Sequence, residues 1–180
     1  HLVIGLSGKP RSGKDTVAKM LKEQFPDIQL VTIGNAVKEE YDSLHGTNTL
    51  HSEEEKLRHR EGINVLGSER RAEDLDYWVK RTIHTHQPPM LITDVRWPHE
   101  ADVVHKAKGF LIRIEADRET LHSRMGEDFH GHLNKDYESL LDDYKKWDFV
   151  IENNGTLDDL KTRVHKVREA ITRQLEERYG

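Results

Sequence analysis

The chain has 180 residues, of which 34% are hydrophobic and 34% are charged, and this size is typical of one domain built around one core. Its 28 basic and 33 acidic residues give a formal charge of −5, which argues against a broad nucleic-acid or membrane-binding surface and leaves a local basic cleft as the expected anion site. The sequence contains no cysteine, which excludes disulfides, thiolate catalysis and cysteine-type zinc sites.

Short apolar runs alternate with helical patterns along the chain. The first run, residues 2–6, ends at Ser7 and Gly8, and residues 16–25 then carry apolar side chains at helical spacing. Four further short runs, partly β-branched, predict strands at residues 28–33, 90–92, 110–114 and 149–151. This alternation predicts an α/β fold with a parallel sheet and helices on both of its faces.

Residues 8–14 (GKPRSGK) carry two glycines five positions apart and then a lysine, which is the spacing of a phosphate-binding loop. The loop lies between a predicted strand and a predicted helix, where its N–H groups and the helix N terminus can point at a phosphate. Lys14 can then reach the β- and γ-phosphates of ATP. The general motif continues with Ser or Thr as a magnesium ligand; here Asp15 stands there and Thr16 follows, and either residue can serve Mg²⁺.

Residues 90–94 (MLITD) form a predicted strand that ends in an acid. Open α/β sheets present functional groups at the carboxyl ends of their strands. We therefore expect Asp94 to hold magnesium through water or to receive the proton of the acceptor.

Phosphoryl transfer needs cations around the transferring group and around the acceptor phosphate. Lys56 and Arg60 are four positions apart, which predicts one shared helix face, and Arg70 and Arg71 follow a predicted helix stop at Gly67. Any one such residue is commonly a surface charge. Taken together with Lys38 and Arg96, these basic residues predict a binding site for an acceptor phosphate. Its members are Lys38, Lys56, Arg60, Arg70, Arg71 and Arg96.

A polar stretch follows the fourth predicted strand. We expect a mobile lid at about residues 115–135, which would bring Arg118 and Arg124 onto the γ-phosphate. His130 and His132 are interpreted as exposed side chains and not as a zinc site. Residues 134–146 are polar and are expected to be loosely packed.

Two helix starts have the spacing of a capping box, Ser52 with Glu55 and Thr156 with Asp159. After Thr156 one apolar stripe follows the helical period and is expected to cover the sheet. Its members are Leu157, Leu160, Val164, Val167, Ile171 and Leu175.

These motifs make the chain resemble the nucleoside monophosphate kinase group of P-loop proteins. Within that group it is similar to phage-type deoxynucleoside monophosphate kinases and to animal-type phosphomevalonate kinase, both of which share residues 7–9 (SGK) and 11–15 (RSGKD). The deoxynucleotide kinases are resembled at Arg71 and at residues 67–69, 78–80, 93–100 and 151–157. Phosphomevalonate kinase is resembled at residues 38–39, Tyr41, residues 45–46, Lys56, Arg60 and residues 147–153.

The resemblance implies a three-layer P-loop fold with five parallel strands, adenine packing near residues 153–155, and bound ATP and Mg²⁺. The metal ligands predicted from the residues themselves are Asp15, Thr16 and Asp94. The resemblance also implies an acceptor phosphate near Lys38, Lys56, Arg60, Arg71 and Arg96. The implied ATP-binding residues are Gly8, Lys9, Arg11, Ser12, Gly13, Lys14, Asp15, Thr16, Asn153 and Gly155.

Two positions depart from animal phosphomevalonate kinase. Trp97 stands where that family has a second arginine after its Asp-Thr-Arg, and Val65 stands where it has another arginine. Because both cations are expected to hold a mevalonate phosphate, their replacement favours a nucleotide acceptor.

The leading hypothesis is therefore an ATP-dependent phosphotransferase that converts a (deoxy)nucleoside monophosphate to the diphosphate. Phosphomevalonate kinase, which makes diphosphomevalonate, is the alternative, and a nucleotide-binding regulatory module is an alternative of another class. We expect one domain over residues 1–180 with substrate-binding helices at 36–86. We also expect a cytoplasmic monomer or homodimer whose partner is a small phosphorylated substrate, with no nucleic acid polymer and no membrane.

Overall fold

The computed structural model describes residues 1–126 and 140–180. Five strands form one sheet in the order β2-β3-β1-β4-β5. Strand β1 pairs in parallel with β3 and β4, and β4 pairs in parallel with β5, so the predicted parallel sheet is confirmed. The strands are β1 (Val3–Gly8), β2 (Gln29–Val31), β3 (Met90–Ile92), β4 (Phe110–Glu115) and β5 (Phe149–Glu152).

The described helices lie between the strands and after the last one. They are α1 (Lys14–Gln24), α2 (Ile33–His45), α3 (Glu53–Arg58), α4 (Arg60–Glu73), α5 (Tyr77–Thr85), α6 (Pro98–Lys106), α7 (Arg118–Met125) and α8 (Leu157–Tyr179). None of these helices is both long enough and apolar enough to cross a bilayer.

The chain divides into two compact units. The first unit contains His1–Leu30 and Pro88–Gly180, and the second contains Val31–Gln87. The helices predicted to bind substrate, at 36–86, all lie in the second unit. The predicted lid at about 115–135 includes α7, whereas its later part lies outside the described residues, as do His130 and His132.

Helices cover both faces of the sheet. On one face, Ile4 and Leu6 of β1 belong to a hydrophobic core that they share with α1 and α8. Gly5, which alternates with them, faces the other way, because a Cβ on it would lie 2.9 Å from the side chain of Leu111 and 3.3 Å from that of Val104 on α6. This arrangement confirms the predicted three-layer α/β fold.

Helix α8 begins where the sequence predicts. The Thr156 hydroxyl accepts a hydrogen bond from the Asp159 N–H at 3.1 Å, and the Asp159 carboxylate accepts one from the Thr156 N–H at 3.0 Å, which completes the capping box. The Ser52 hydroxyl likewise accepts from the Glu55 N–H at the start of α3. The apolar stripe of α8 packs on the sheet as predicted except at its first residue, Leu157, which is 57% exposed.

The second unit contains α2 to α5. The buried Trp78 of α5 donates its indole N–H to the carbonyl of Gly67 on α4 at 3.1 Å. Buried Glu40 of α2 accepts hydrogen bonds from the Arg70 guanidinium at 3.0 Å and from the Tyr77 hydroxyl. Burial raises the pKa of Glu40, but these two donors and the nearby positive charges outweigh burial and leave the pKa below its ordinary value. Arg70 therefore joins two helices of the second unit, and its role at an acceptor phosphate stays a prediction.

The predicted helix stop at Gly67 is wrong, because α4 continues to Glu73. Glycine costs a helix interior about 1 kcal/mol relative to alanine, a cost that tertiary contacts can outweigh. Here the preceding Leu66 is buried, and the Gly67 carbonyl accepts the hydrogen bond from Trp78.

Two other predicted boundaries also differ. The strand predicted at 28–33 is shorter, because the Thr32 hydroxyl accepts from the Asn35 N–H and starts α2 at Ile33. Lys56 and Arg60 do not share one helix: α3 ends at Arg58, and His59 adopts turn-like angles (φ −102°, ψ 11°) before α4 begins.

Replacing Thr156 with Ala should lower the free energy of unfolding by about 1 kcal/mol, because the first turn of α8 loses its cap. Urea denaturation measures this loss. Thr162→Ala is the matched control, because that hydroxyl only donates to the Asp158 carbonyl one turn earlier. A loss of equal size in both variants would contradict the capping role.

Candidate active site

A cavity of about 670 Å³ opens in the first unit beside the loop that follows β1, within the size range of small-molecule sites. Its lining combines that loop with the turn after β3, one residue of β4, one of α7, and the start of α8. The lining residues are Ser7, Gly8, Lys9, Pro10, Arg11, Gly13, Lys14, Asp15, Thr16, Val95, Arg96, Arg113, Arg124, Leu141, Asn153, Gly155, Thr156, Leu157 and Leu160. The structure thus brings together all predicted ATP-binding residues except Ser12, which is buried within the same loop.

The loop backbone has an unusual conformation. Arg11 (φ +64°) and Gly13 (φ +103°) are both in the left-handed region. Residues with side chains rarely adopt this region, and when they do they concentrate at functional sites. Left-handed residues alternating with right-handed ones form concave rows of N–H groups that bind anions. The loop therefore has the backbone geometry of a phosphate cradle.

Both glycines of the loop motif are required by close contacts. A Cβ on Gly8 would lie 2.5 Å from the Ser12 hydroxyl and 3.1 Å from the Ile114 carbonyl, and a Cβ on Gly13 would lie 2.2 Å from the side-chain nitrogen of Asn153. Within the described part of the chain, the buried Ser12 hydroxyl has no hydrogen-bond partner. Buried polar atoms without partners are rare, so this hydroxyl is available for a hydrogen bond to a bound ligand.

The loop is held in this conformation from outside. The side-chain amide of Asn153, which follows β5, donates to the Ser12 carbonyl at 2.8 Å. Arg124 of α7 donates to the Arg11 carbonyl at 2.8 Å and to the Asn153 carbonyl at 2.9 Å. Because a trans peptide points its carbonyl and N–H in opposite directions, the contact at Ser12 turns the Gly13 N–H away from Asn153.

The predicted lid arginines occupy different places. Arg124 lies on the phosphate-loop backbone, as described above, and Arg118 is the exposed first residue of α7 and is not part of the described cavity lining. The prediction that both reach the γ-phosphate stays a prediction.

Helix α1 starts directly after the loop, so Lys14, Asp15 and Thr16 form its first turn and line the cavity. The N terminus of a helix carries a partial positive charge that favours a phosphate. Asp94 lies two residues beyond β3, whose Ile92 pairs with Gly5, so the register places Asp94 level with Ser7 at the start of the loop.

The described residues contain no group of three acidic or histidine side chains that could hold a metal without help. Mg²⁺ is usually bound through one or two carboxylates together with substrate phosphates and water. The carboxylates of Asp15 and Asp94 and the hydroxyl of Thr16 fit that mode of binding.

The turn after β3 is fixed by a buried carboxylate. Glu100 of α6 accepts hydrogen bonds from the N–H groups of Arg96 at 2.9 Å and Trp97 at 3.0 Å, and Val95 is buried beside them. Burial raises the pKa of Glu100; these two hydrogen bonds oppose the rise, and the nearby charge of Asp94 adds to it. The turn places Arg96 in the cavity lining, whereas Trp97 is 45% exposed.

Sequence reasoning missed one cation of the cavity. Arg113 on β4 is only 6% exposed; it donates to the Ser7 hydroxyl at 2.7 Å and lies 5.8 Å from the ring centre of Trp147. The sequence does carry a signal for this residue, because an arginine in the middle of an otherwise apolar strand (FLIRIE) indicates a buried charge with a specific partner.

The remaining predicted acceptor residues lie in the second unit, on α2, α3 and α4. Lys56 forms an ion pair with Glu53 at 3.7 Å. Arg60 lines a surface groove with residues that include Val65, which is 48% exposed. The acceptor roles of Lys38, Lys56, Arg60 and Arg71 stay predictions.

Residues 6–110 match the family model described as phosphomevalonate kinase. The match spans more than half of the chain and contains the phosphate loop, the whole second unit and the turn after β3. The chain belongs to the phosphomevalonate kinase family. This membership, together with the phosphate-loop cavity, makes the protein an ATP-dependent kinase and confirms the resemblance to P-loop kinases.

Solved structures support the fold of this phosphomevalonate kinase family member. Shikimate kinase from Acinetobacter baumannii in complex with shikimate is 15% identical, with a TM-score of 0.56 over 96% of this chain and 93% of that one. Dephospho-CoA kinase from Campylobacter jejuni is 14% identical, with a TM-score of 0.51 over 97% of this chain and 99% of that one. At these identities the likeness shows a shared fold.

Replacing Gly13 with Ala should abolish ATP binding, because the new Cβ would collide with Asn153 and strain the left-handed backbone. Isothermal titration calorimetry with ATP measures the loss, and circular dichroism checks that the protein stays folded. Gly46→Ala is the control, since Gly46 is also left-handed (φ +65°) but nothing lies within 4 Å of the added Cβ. ATP binding by Gly13→Ala at wild-type strength would refute the cradle geometry.

Proposed function

We propose that this protein transfers the γ-phosphoryl group of ATP to the phosphate of a small phosphomonoester, and that phosphomevalonate is the acceptor. The observation that carries the proposal is the phosphate cradle at residues 8–16, in a chain whose family match covers the cradle and the predicted acceptor residues. The family match favours phosphomevalonate over the nucleotide that the two replaced arginines suggested.

On the ATP side, the loop N–H groups, the N terminus of α1 and Lys14 would hold the phosphates. Asn153 and Gly155 would lie near the adenine. Asp15, Thr16 and Asp94 are the residues that would hold Mg²⁺, which when bound neutralises phosphate charge.

On the acceptor side, Arg96 lines the cavity and would bind the acceptor phosphate. Guanidinium groups suit this task because they bind phosphate oxygens in a bidentate manner. Asp94, at the carboxyl end of β3, has two alternative roles: it would hold Mg²⁺, or it would take the proton of an acceptor phosphate that binds as the monoanion. Little covalent chemistry is required of the protein beyond this positioning and charge neutralisation.

A (deoxy)nucleoside monophosphate is the second candidate acceptor, and a specific observation supports it. Both positions at which animal phosphomevalonate kinase has the arginines in question are exposed here and uncharged, namely Val65 and Trp97. An exposed indole ring is also a surface on which a planar base can stack.

The proposed function is tested by a coupled ADP-release assay with ATP and Mg²⁺ against phosphomevalonate and a panel of ribo- and deoxynucleoside monophosphates. We expect turnover with phosphomevalonate. Turnover with nucleotides alone would establish the second candidate. ATP binding without transfer to any acceptor would contradict both and support a nucleotide-binding regulatory module.

Replacing Lys14 with Ala should lower kcat with the preferred acceptor by roughly 10²–10³-fold, the size typical of removing one group that stabilises transition-state charge. The same coupled assay measures the loss. Lys19→Ala removes an exposed lysine of the same helix and should retain wild-type turnover. If Lys14→Ala remains fully active while folded, the role of the phosphate loop in transfer is wrong.

A further inference from the structure

The segment that leads into β5, residues 140–148, packs against the rest of the first unit. Loose packing was expected for residues 134–146, of which 134–139 lie outside the described residues and 140–146 differ from the expectation. Leu141 is buried, and the Tyr144 hydroxyl donates to the Asp102 carboxylate of α6 at 2.9 Å. At the far end, Asp148 and Leu111 exchange two hydrogen bonds, of 2.9 Å and 2.7 Å. The backbone of this segment is therefore fixed on both sides of Asp142.

Asp142 contacts two cations of the cavity. Its carboxylate lies 3.2 Å from the Lys9 ammonium and 3.5 Å from the Arg113 guanidinium. Lys9 belongs to the phosphate loop, and Arg113 is the buried cation on β4. The Asp142 side chain is 41% exposed, and an ion pair between exposed side chains contributes little on its own, but here one of its two partners, Arg113, is buried.

Carboxylate and phosphate oxygens are both charged acceptors for lysine and arginine. A phosphate that enters this cavity meets Lys9 and Arg113 already in contact with a negative group. We infer that Asp142 is a built-in counter-ion of the phosphate cavity, a residue that limits the affinity for phosphate-bearing ligands by competing with them for Lys9 and Arg113. The inference rests on the proposed function only in taking ATP and ADP as the ligands, and it does not depend on the acceptor.

Electrostatics in the ligand-free and the ligand-bound cavity support this competition. Without a ligand, Asp142 offsets the repulsion between two neighbouring cations, one of them buried. With a polyphosphate bound to Lys9 and Arg113, the Asp142 carboxylate lies near a second negative group, and like charges at short range oppose binding. A kinase must release its product in every cycle, and product release often limits the rate. Asp142 would keep ADP from being held too tightly.

The test is the affinity of the full chain for ADP and for inorganic tripolyphosphate, measured by calorimetry without an acceptor at two salt concentrations. We expect Asp142→Asn to bind ADP about tenfold more tightly than wild type, a factor that corresponds to 1.4 kcal/mol. Its affinity should also fall more steeply with salt, because the cavity gains one net positive charge. Asp143→Asn removes the same charge from the exposed neighbouring residue and should bind like wild type.

A double-mutant cycle tests whether Asp142 acts through Lys9. In a Lys9→Gln background, the gain from Asp142→Asn should shrink to threefold or less, because one of the cations under competition has been removed. Asp142→Ser gives a second variant with the same expected gain if Asp142→Asn folds poorly by thermal unfolding.

The outcomes separate the two claims. If wild type binds ADP but the Asp142 variants bind equally well or more weakly, Asp142 does not compete and the inference is overturned, while the proposed function stands. If neither wild type nor the Asp142 variants bind ADP or tripolyphosphate, both the inference and the ATP site of the proposed function are overturned.

Discussion

The peptide groups of Arg11 and Ser12 are held by side chains that come from the other end of the chain. Arg124 donates a hydrogen bond to the Arg11 carbonyl, and Asn153 donates one to the Ser12 carbonyl. These contacts stabilise the left-handed backbone of Arg11, a conformation that is unfavourable for a residue with a side chain. For these contacts to form, Asn153, which follows β5, and helix α7 must reach the loop that follows β1. The strand order places β4 next to β1 and β5 next to β4, so the residues that follow β5, Asn153 among them, lie at the same edge of the sheet as the loop. The phosphate cradle is therefore a property of the whole first unit.

The parts of the site that the sequence predicts are those specified by neighbouring residues. The loop motif, the strand before it and the helix after it lie within one stretch of about 25 residues, so local rules suffice. Asp94 was placed by a general property of parallel sheets. Arg113 and Asp142 were missed because their roles depend on partners 106 and 133 residues away, at Ser7 and Lys9. Gly67 was misjudged for a related reason: propensity favours a break, and a tertiary contact from Trp78 overrides it.

The residues that show the family are not the residues on which the choice of acceptor depends in the proposed function. The family match spans the loop and the second unit. Val65 and Trp97, at the two positions where the animal enzymes carry arginine, are solvent-exposed here, so a change of charge at either position would not disturb a core. Such changes leave the fold intact, and this is why the fold alone says little about the molecule attached to the acceptor phosphate.

The chain leaves the first unit after residue 30 and returns at residue 88, and these two points are adjacent: the Gln29 N–H donates to the Pro89 carbonyl at 3.0 Å. A segment of the chain that enters and exits a sheet at neighbouring points can change in length or be exchanged without altering the strands on either side. The second unit is thus an insertion between two neighbouring points of the first unit. Under the prediction that residues of the second unit bind the acceptor, acceptor preference could change within that unit, by evolution or by design, without any change in the phosphate loop.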